Sequence, residues 1–122
     1  MRILIVDDEP DIRRIAGLAL RKLGGHELFE AENGMEALEL AAKHRPDVIL
    51  LDVMMPLMDG PTTLAALKRN AATSAIPVIF LTAKAIASEV ERFTRLGAVT
   101  ALTKPFDPMT LDRDIKAALA RA

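Results

Sequence analysis

Short unbroken apolar runs alternate with stretches of helical spacing along the whole chain, and this alternation restricts the fold more than any other feature. Residues 2–6, 48–51, 76–81 and 98–102 lack the every-second-residue polarity of a half-exposed strand. Continuous apolar strands belong in a sheet covered on both faces, the environment of parallel strands joined by helices. Residues 26–31 form a shorter, more polar run, as suits an edge strand.

Between the runs, Ile12, Ile15, Ala16, Ala19 and Leu23 recur at helical spacing, and Gly24-Gly25 stops that helix. Asn33 with Glu36 three residues later predicts an N-cap and a variant capping box for a second helix, which ends before Pro46. Asp59 is placed to cap a third helix over about residues 60–70, and a fourth displays Ile86, Val90 and Phe93. The last helix has Asp107 as N-cap, Pro108 in its first turn, and Leu111, Ile115, Ala118 and Leu119 on one face. Five strands alternating with five helices predict a flavodoxin-like, doubly wound α/β fold with a parallel sheet. Right-handed crossovers favour the strand order 2-1-3-4-5, in which the first and third strands are neighbours. No linker, repeat or low-complexity stretch interrupts the pattern, so residues 1–122 read as one domain.

The apolar runs stop at residues suited to metal and phosphate chemistry. Ile3 to Val6 runs into Asp7-Asp8, Val48 to Leu51 into Asp52, Val78 to Leu81 into Thr82, and Val99 to Thr103 into Lys104-Pro105. Ligands of open parallel sheets bind outside the carboxyl ends of the strands, so these groups converge if the strands are neighbours. Taken singly, each is unremarkable: acids at strand ends are often helix caps, and an isolated lysine is usually solvated. The joint pattern is what carries the expectation.

Three carboxylates in one crevice repel, each close pair by roughly 4 kcal/mol at an effective dielectric near 20. A cation relieves this, and all-oxygen ligands suit a hard ion, Mg²⁺ first, with Mn²⁺ able to substitute. Asp7, Asp8, Asp52 and Lys104 sum to −2, which one such ion cancels. A pocket neutralised in this way can receive a phosphoryl group. Asp52 is then the nucleophile, with Mg²⁺, Lys104 and the Thr82 hydroxyl each taking one phosphoryl oxygen.

Composition narrows the alternatives. The net charge is −1 with both signs interspersed, so no basic stripe marks direct nucleic-acid binding. Cysteine is absent, which excludes disulfides, thiolate catalysis and Cys-ligated metals. Tyr and Trp are absent too, leaving no stacking platform for single strands. No apolar run approaches the roughly 18 residues of a membrane span, and strand-like sequence begins at Arg2 without a signal peptide before it. The expectation is a cytoplasmic protein that does not insert in membranes.

MRILIVDDEPDIR, VILLDVMMPLMDG, PVIFLTAK and LTKPF resemble the signature segments of the response regulator receiver domain of two-component signalling, and the likeness covers essentially the whole chain. The resemblance implies Asp52 as phospho-acceptor, Asp8 as direct metal ligand, Asp7 acting through water, and the Met54 backbone carbonyl completing the metal site. It implies Thr82 and Lys104 as the assisting hydroxyl and lysine, and a cis Lys104–Pro105 bond. It also implies a donor, the phosphohistidine of a sensor histidine kinase or histidine phosphotransfer protein, and a downstream output protein that reads the phosphorylated state. The chemistry is self-directed phosphoryl transfer and autodephosphorylation, not enzymatic turnover. Small Ala83 leaves water access to the site, and Met54 and Lys84 flank it and influence that loss. His26 and His44 lie outside the signature segments and read as surface residues, as do most cations of the first helix.

A haloacid dehalogenase-type phosphatase is the enzymatic rival, but it wants Asp-x-Asp-x-Thr after the first strand, where this chain has Asp7-Asp8-Glu9-Pro10. Within the receiver family the chain departs at Ala101, three residues before Lys104, where most members carry Tyr or Phe. Val99-Thr100 also replaces the Asp-Asp pair frequent in DNA-binding regulators. These departures favour a single-domain, chemotaxis-regulator-like receiver, or one in a phosphorelay or hybrid kinase, over one cut from a DNA-binding regulator.

Overall fold

The computed structural model describes residues 1–122. Its sheet has strands β1 (Arg2–Val6), β2 (Glu27–Ala31), β3 (Val48–Asp52), β4 (Val78–Thr82) and β5 (Thr100–Thr103), all parallel, in the order β2-β1-β3-β4-β5. Helices α1 (Pro10–Ala16), α2 (Gly34–His44), α3 (Gly60–Arg69), α4 (Ala87–Arg95) and α5 (Leu111–Ala120) connect and follow the strands. The doubly wound fold and strand order therefore stand as the sequence predicts, with β2 at one edge.

Two apolar layers hold the sheet. Leu4, Val6, Ile49, Leu51, Val78 and Phe80 point to the face covered by α2, α3 and α4. Their neighbours Ile3, Ile5, Val48, Leu50, Ile79 and Leu81 point to the other, covered by α1 and α5. Successive strand residues face opposite sides, so a strand buried on both must be apolar at every position. The central strand β3 is buried along its full length, and the run of Val, Ile and Leu ends only at Asp52.

Caps form largely as the sequence suggests. The Asn33 side chain accepts from the Glu36 N–H at 2.8 Å, while Glu36 reaches back to the N–H of Glu32 at 3.2 Å. Asp59 accepts from the Thr62 N–H at 2.8 Å. Gly24 closes the first helical segment, and Gly25 follows at φ 69, a conformation that glycine takes without steric cost.

Four expectations need correction. The first helix continues past Ala16 as a π-helical segment, Gly17–Leu23. Its wider i to i+5 turns change the phase of the face, so Leu20 is buried and Leu23 is 57% exposed. β4 and β5 begin two residues later than predicted: Pro77 has no N–H for the ladder, and Gly97 turns the chain at φ 113. Ile86 precedes α4 as an exposed N-cap and leaves Phe93 as the buried residue of that helix. α5 starts at Leu111, because Asp107 caps a separate turn, accepting from the Met109 N–H at 2.8 Å, and Pro108 lies within it.

The histidines are not plain surface residues. The π-helical segment and α5 cover the same sheet face, and the His26 side chain lies between Asp112 of α5 and the N-terminus. The His26 ring is therefore buried, with Nε2 2.6 Å from Asp112 Oδ1 and Nδ1 2.9 Å from the Met1 amine. His44 stacks on Phe29 with centroids 4.1 Å apart.

Candidate functional site

Adjacent β1 and β3 end side by side, with Val6 opposite Leu51, so Asp7 and Asp52 leave the sheet together. Asp7 is fully buried and Asp52 is 2% exposed, whereas Asp8 faces solvent. One carboxylate oxygen from each of Asp7, Asp8 and Asp52 can be chosen so that all lie within 4.8 Å of one another. Three carboxylate oxygens gathered this closely are the donor type that a hard divalent cation takes.

Lys104 comes in from the far edge. The N–H of Lys104 bonds to the Thr82 carbonyl at 2.7 Å, which extends the β4–β5 ladder to the residue that carries the ammonium. The following Lys104–Pro105 peptide is cis. Nζ then stands 3.0 Å from Asp7 Oδ2, 3.1 Å from Glu9 Oε1 and 3.2 Å from Asp52 Oδ1. The Thr82 hydroxyl makes no hydrogen bond to this network, although its backbone adjoins it.

The two oxygens of Asp52 differ. Oδ1 faces Lys104 and accepts from the Met54 N–H at 3.3 Å. Oδ2 is buried without a partner, which is costly for a carboxylate and is the condition a bound cation would relieve. The ligand atoms of the cluster are all carboxylate oxygens, so the residues present fit a hard divalent ion.

Burial, then the charge of Asp7, pushes the Asp52 carboxyl up to about 6, against a smaller opposing pull from Lys104 and the Met54 N–H. Burial likewise raises Asp7, opposed by the Glu9 N–H and by Lys104. Burial alone would lower Lys104, but its bonds to Asp7 and Glu9 and the charges of Asp52 and Asp7 outweigh it and raise it well above the usual lysine range. The site thus holds more negative charge than it can comfortably keep ionised.

The loop after β3 is held close. The Gly60 N–H bonds to the Val53 carbonyl at 2.9 Å, and a Cβ on Gly60 would stand 2.5 Å from the Asp52 carbonyl oxygen. Met54 and Leu57 point into solvent at its crest, Leu57 with φ 69, while Met55 is buried.

Sequence reasoning missed two participants. Glu9 bridges to Lys104; the signal available was the third consecutive acid, directly before the helix that Pro10 opens. Arg13, expected among solvated cations, is mostly buried and donates to the Asp7 carbonyl at 2.7 Å, with Glu30 at 3.4 Å. It pins the end of β1 from one turn into α1.

A five-stranded 2-1-3-4-5 sheet with an acidic crevice and a lysine at its strand ends defines a class of small α/β phosphoacceptor switches. The sequence matches the response regulator receiver domain over residues 3–116, and the chain belongs to that family. It is 42% identical over 120 residues to the protein PilH of Pseudomonas aeruginosa, covering 98% of both chains. It is also 42% identical over 119 residues to the phosphate regulon transcriptional regulatory protein PhoB of the same organism, of whose length it spans 52%. Among solved structures, the chemotaxis response regulator CheY4 of Vibrio cholerae superposes with a TM-score of 0.88 at 33% identity, over 96% of this chain and 97% of that one. The chain is thus a two-component phosphoacceptor switch close to single-domain regulators. No helix is long and apolar enough to cross a membrane.

Proposed function

We propose that Asp52 takes the phosphoryl group, from the phosphohistidine of a sensor histidine kinase or histidine phosphotransfer protein. The supporting observation is the environment of its carboxylate: buried at the end of β3, one oxygen 3.2 Å from Lys104 and the other without a partner. In the transfer the P–N bond of the donor breaks as an O–P bond to Asp52 forms. The leaving imidazole keeps the bonding pair and takes up a proton.

Asp7, Asp8, Asp52 and the Met54 carbonyl would hold a divalent ion, Mg²⁺ by the chemistry of the donors. When bound there, the ion supplies positive charge that offsets repulsion between the acids and the incoming dianion. Lys104 neutralises part of the charge from the opposite side and orients Asp52. The Thr82 hydroxyl, free of the ion-pair network, is the donor for one phosphoryl oxygen, and Lys104 for another. The exposed Ala83 leaves room for water to reach the acyl phosphate, so the mark is lost slowly by self-hydrolysis rather than turned over on a separate substrate.

Residues 1–122 act as one receiver unit in the cytoplasm, and the phosphorylated form is read by an output protein. The equal likeness to PhoB supports a second reading, in which the same switch serves as the receiver part of a longer regulator. Incubation with acetyl phosphate and Mg²⁺, followed by a phosphate-affinity gel, tests the assignment. The chain shifts, and Asp52→Asn does not; a shifted Asp52→Asn protein overturns it.

A further inference from the structure

Acids surround the Lys104 ammonium on three sides. Of its three N–H groups two are hydrogen-bonded, to Asp7 at 3.0 Å and to Glu9 at 3.1 Å, and Asp52 Oδ1 forms an ion pair at 3.2 Å. A phosphoryl oxygen arriving at Asp52 therefore competes with Asp7 and Glu9 for the ammonium. Asp52 carries the phosphoryl group and is 2% exposed. Asp7 is fully buried, and its other oxygen is fixed by the Glu9 N–H at 2.9 Å. The Glu9 side chain is 59% exposed, so it alone can exchange the lysine for water at little cost.

The position of Glu9 suits that role. With Ile12, Ala83, Lys104 and Pro105 it lines an open cleft of about 340 Å³ at the mouth of the site. It also changes the charge count: Asp7, Asp8, Glu9 and Asp52 with Lys104 sum to −3 rather than −2. A divalent ion then leaves −1 in the pocket. Glu9 therefore attracts the cation while opposing the phosphoryl dianion.

We propose that Glu9 is a positioning residue of the phosphorylation site, a releasable anchor that holds the Lys104 ammonium until a phosphoryl oxygen displaces it. The proposal rests on the reading of Asp52 as acceptor. It sets two quantities against each other: the Glu9 charge strengthens binding of the metal, and the Glu9–Lys104 contact slows phosphorylation once the metal is bound.

The test compares the intact chain with Glu9→Gln and Glu9→Asp. Mg²⁺ affinity of the unphosphorylated proteins is measured by titration calorimetry, and the rate with acetyl phosphate is measured at saturating Mg²⁺. Glu9→Gln binds Mg²⁺ more weakly yet phosphorylates faster, each by about threefold, the scale of an exposed ion pair. Glu9→Asp keeps the charge but loses reach, so its Mg²⁺ affinity stays near that of the parent while its rate rises. A merely structural glutamate would lower both quantities or neither. A rate at saturating Mg²⁺ that is unchanged or lower in both variants overturns the proposal, as does a loss of Mg²⁺ affinity in Glu9→Asp equal to that in Glu9→Gln. Failure of the Asp52 reading shows separately, as a phosphate-affinity shift that survives Asp52→Asn.

Discussion

Phe80 on β4 and Phe93 on α4 pack ring against ring, centroids 4.7 Å apart and tilted by 49°. Ala101 is the cross-strand partner of Phe80 and belongs to the same buried cluster. Ala101, 7% exposed, thus lies in a cluster whose aromatic surface comes from β4 and α4. Ala101→Tyr overpacks the cluster and lowers stability by roughly 1–3 kcal/mol. Urea denaturation measures it; an unchanged midpoint would show that the ring finds room.

Metal-free stability should depend on pH through Asp52. The fold pushes its carboxyl from 3.8 up to about 6, so the folded chain holds a proton that the unfolded chain has already released. The contribution is fully present below about pH 4, is lost as pH rises through about 6, and amounts to on the order of 3 kcal/mol. Asp7, raised by burial, adds in the same direction. Denaturation in chelator from acid to neutral pH should show this fall in the parent and a shallower one in Asp52→Asn. Equal slopes would mean that Asp52 does not titrate as its surroundings require.

Gly60→Ala reads as a mild change at a helix start, since alanine is favoured over glycine in helices by about 1 kcal/mol. The added Cβ would instead meet the Asp52 carbonyl oxygen at 2.5 Å and Phe80 Cε1 at 2.9 Å. Backbone cannot give way as a flexible side chain can. We expect a loss of about 2 kcal/mol or more, read from thermal or urea melts.

His26 and Asp112 tie the start of β2 to the first turn of α5 across 86 residues of chain. A double-mutant cycle with His26→Gln and Asp112→Asn should give a coupling of about 1 kcal/mol, modest because Asp112 is partly solvated. Additive effects would mean that the 2.6 Å contact contributes no net stability.

What the sequence made legible follows from how a parallel sheet addresses its strand ends. Asp7, Asp52 and Thr82 each terminate an apolar run, and Lys104 follows one, so topology alone brings them to one edge. Arg13 was not legible, because it acts through side-chain reach from α1 and no periodicity records where a long flexible side chain ends; Glu9 left only the mark of a third consecutive acid. Leu23 was misplaced by π-helical turns that a 3.6-residue period cannot anticipate. His26 was misread because its burial comes from a segment far along the chain. Pro77 did carry a local signal, the missing N–H, that shortens β4.

Lys104 and Asp7 meet across 97 residues, one following the last strand and the other following the first. A fragment that stops short of β5 would own every acid of the pocket and lack its cation. The charge balance of the pocket is therefore the joint property of the first strand and the last, and neither end of the chain holds it alone.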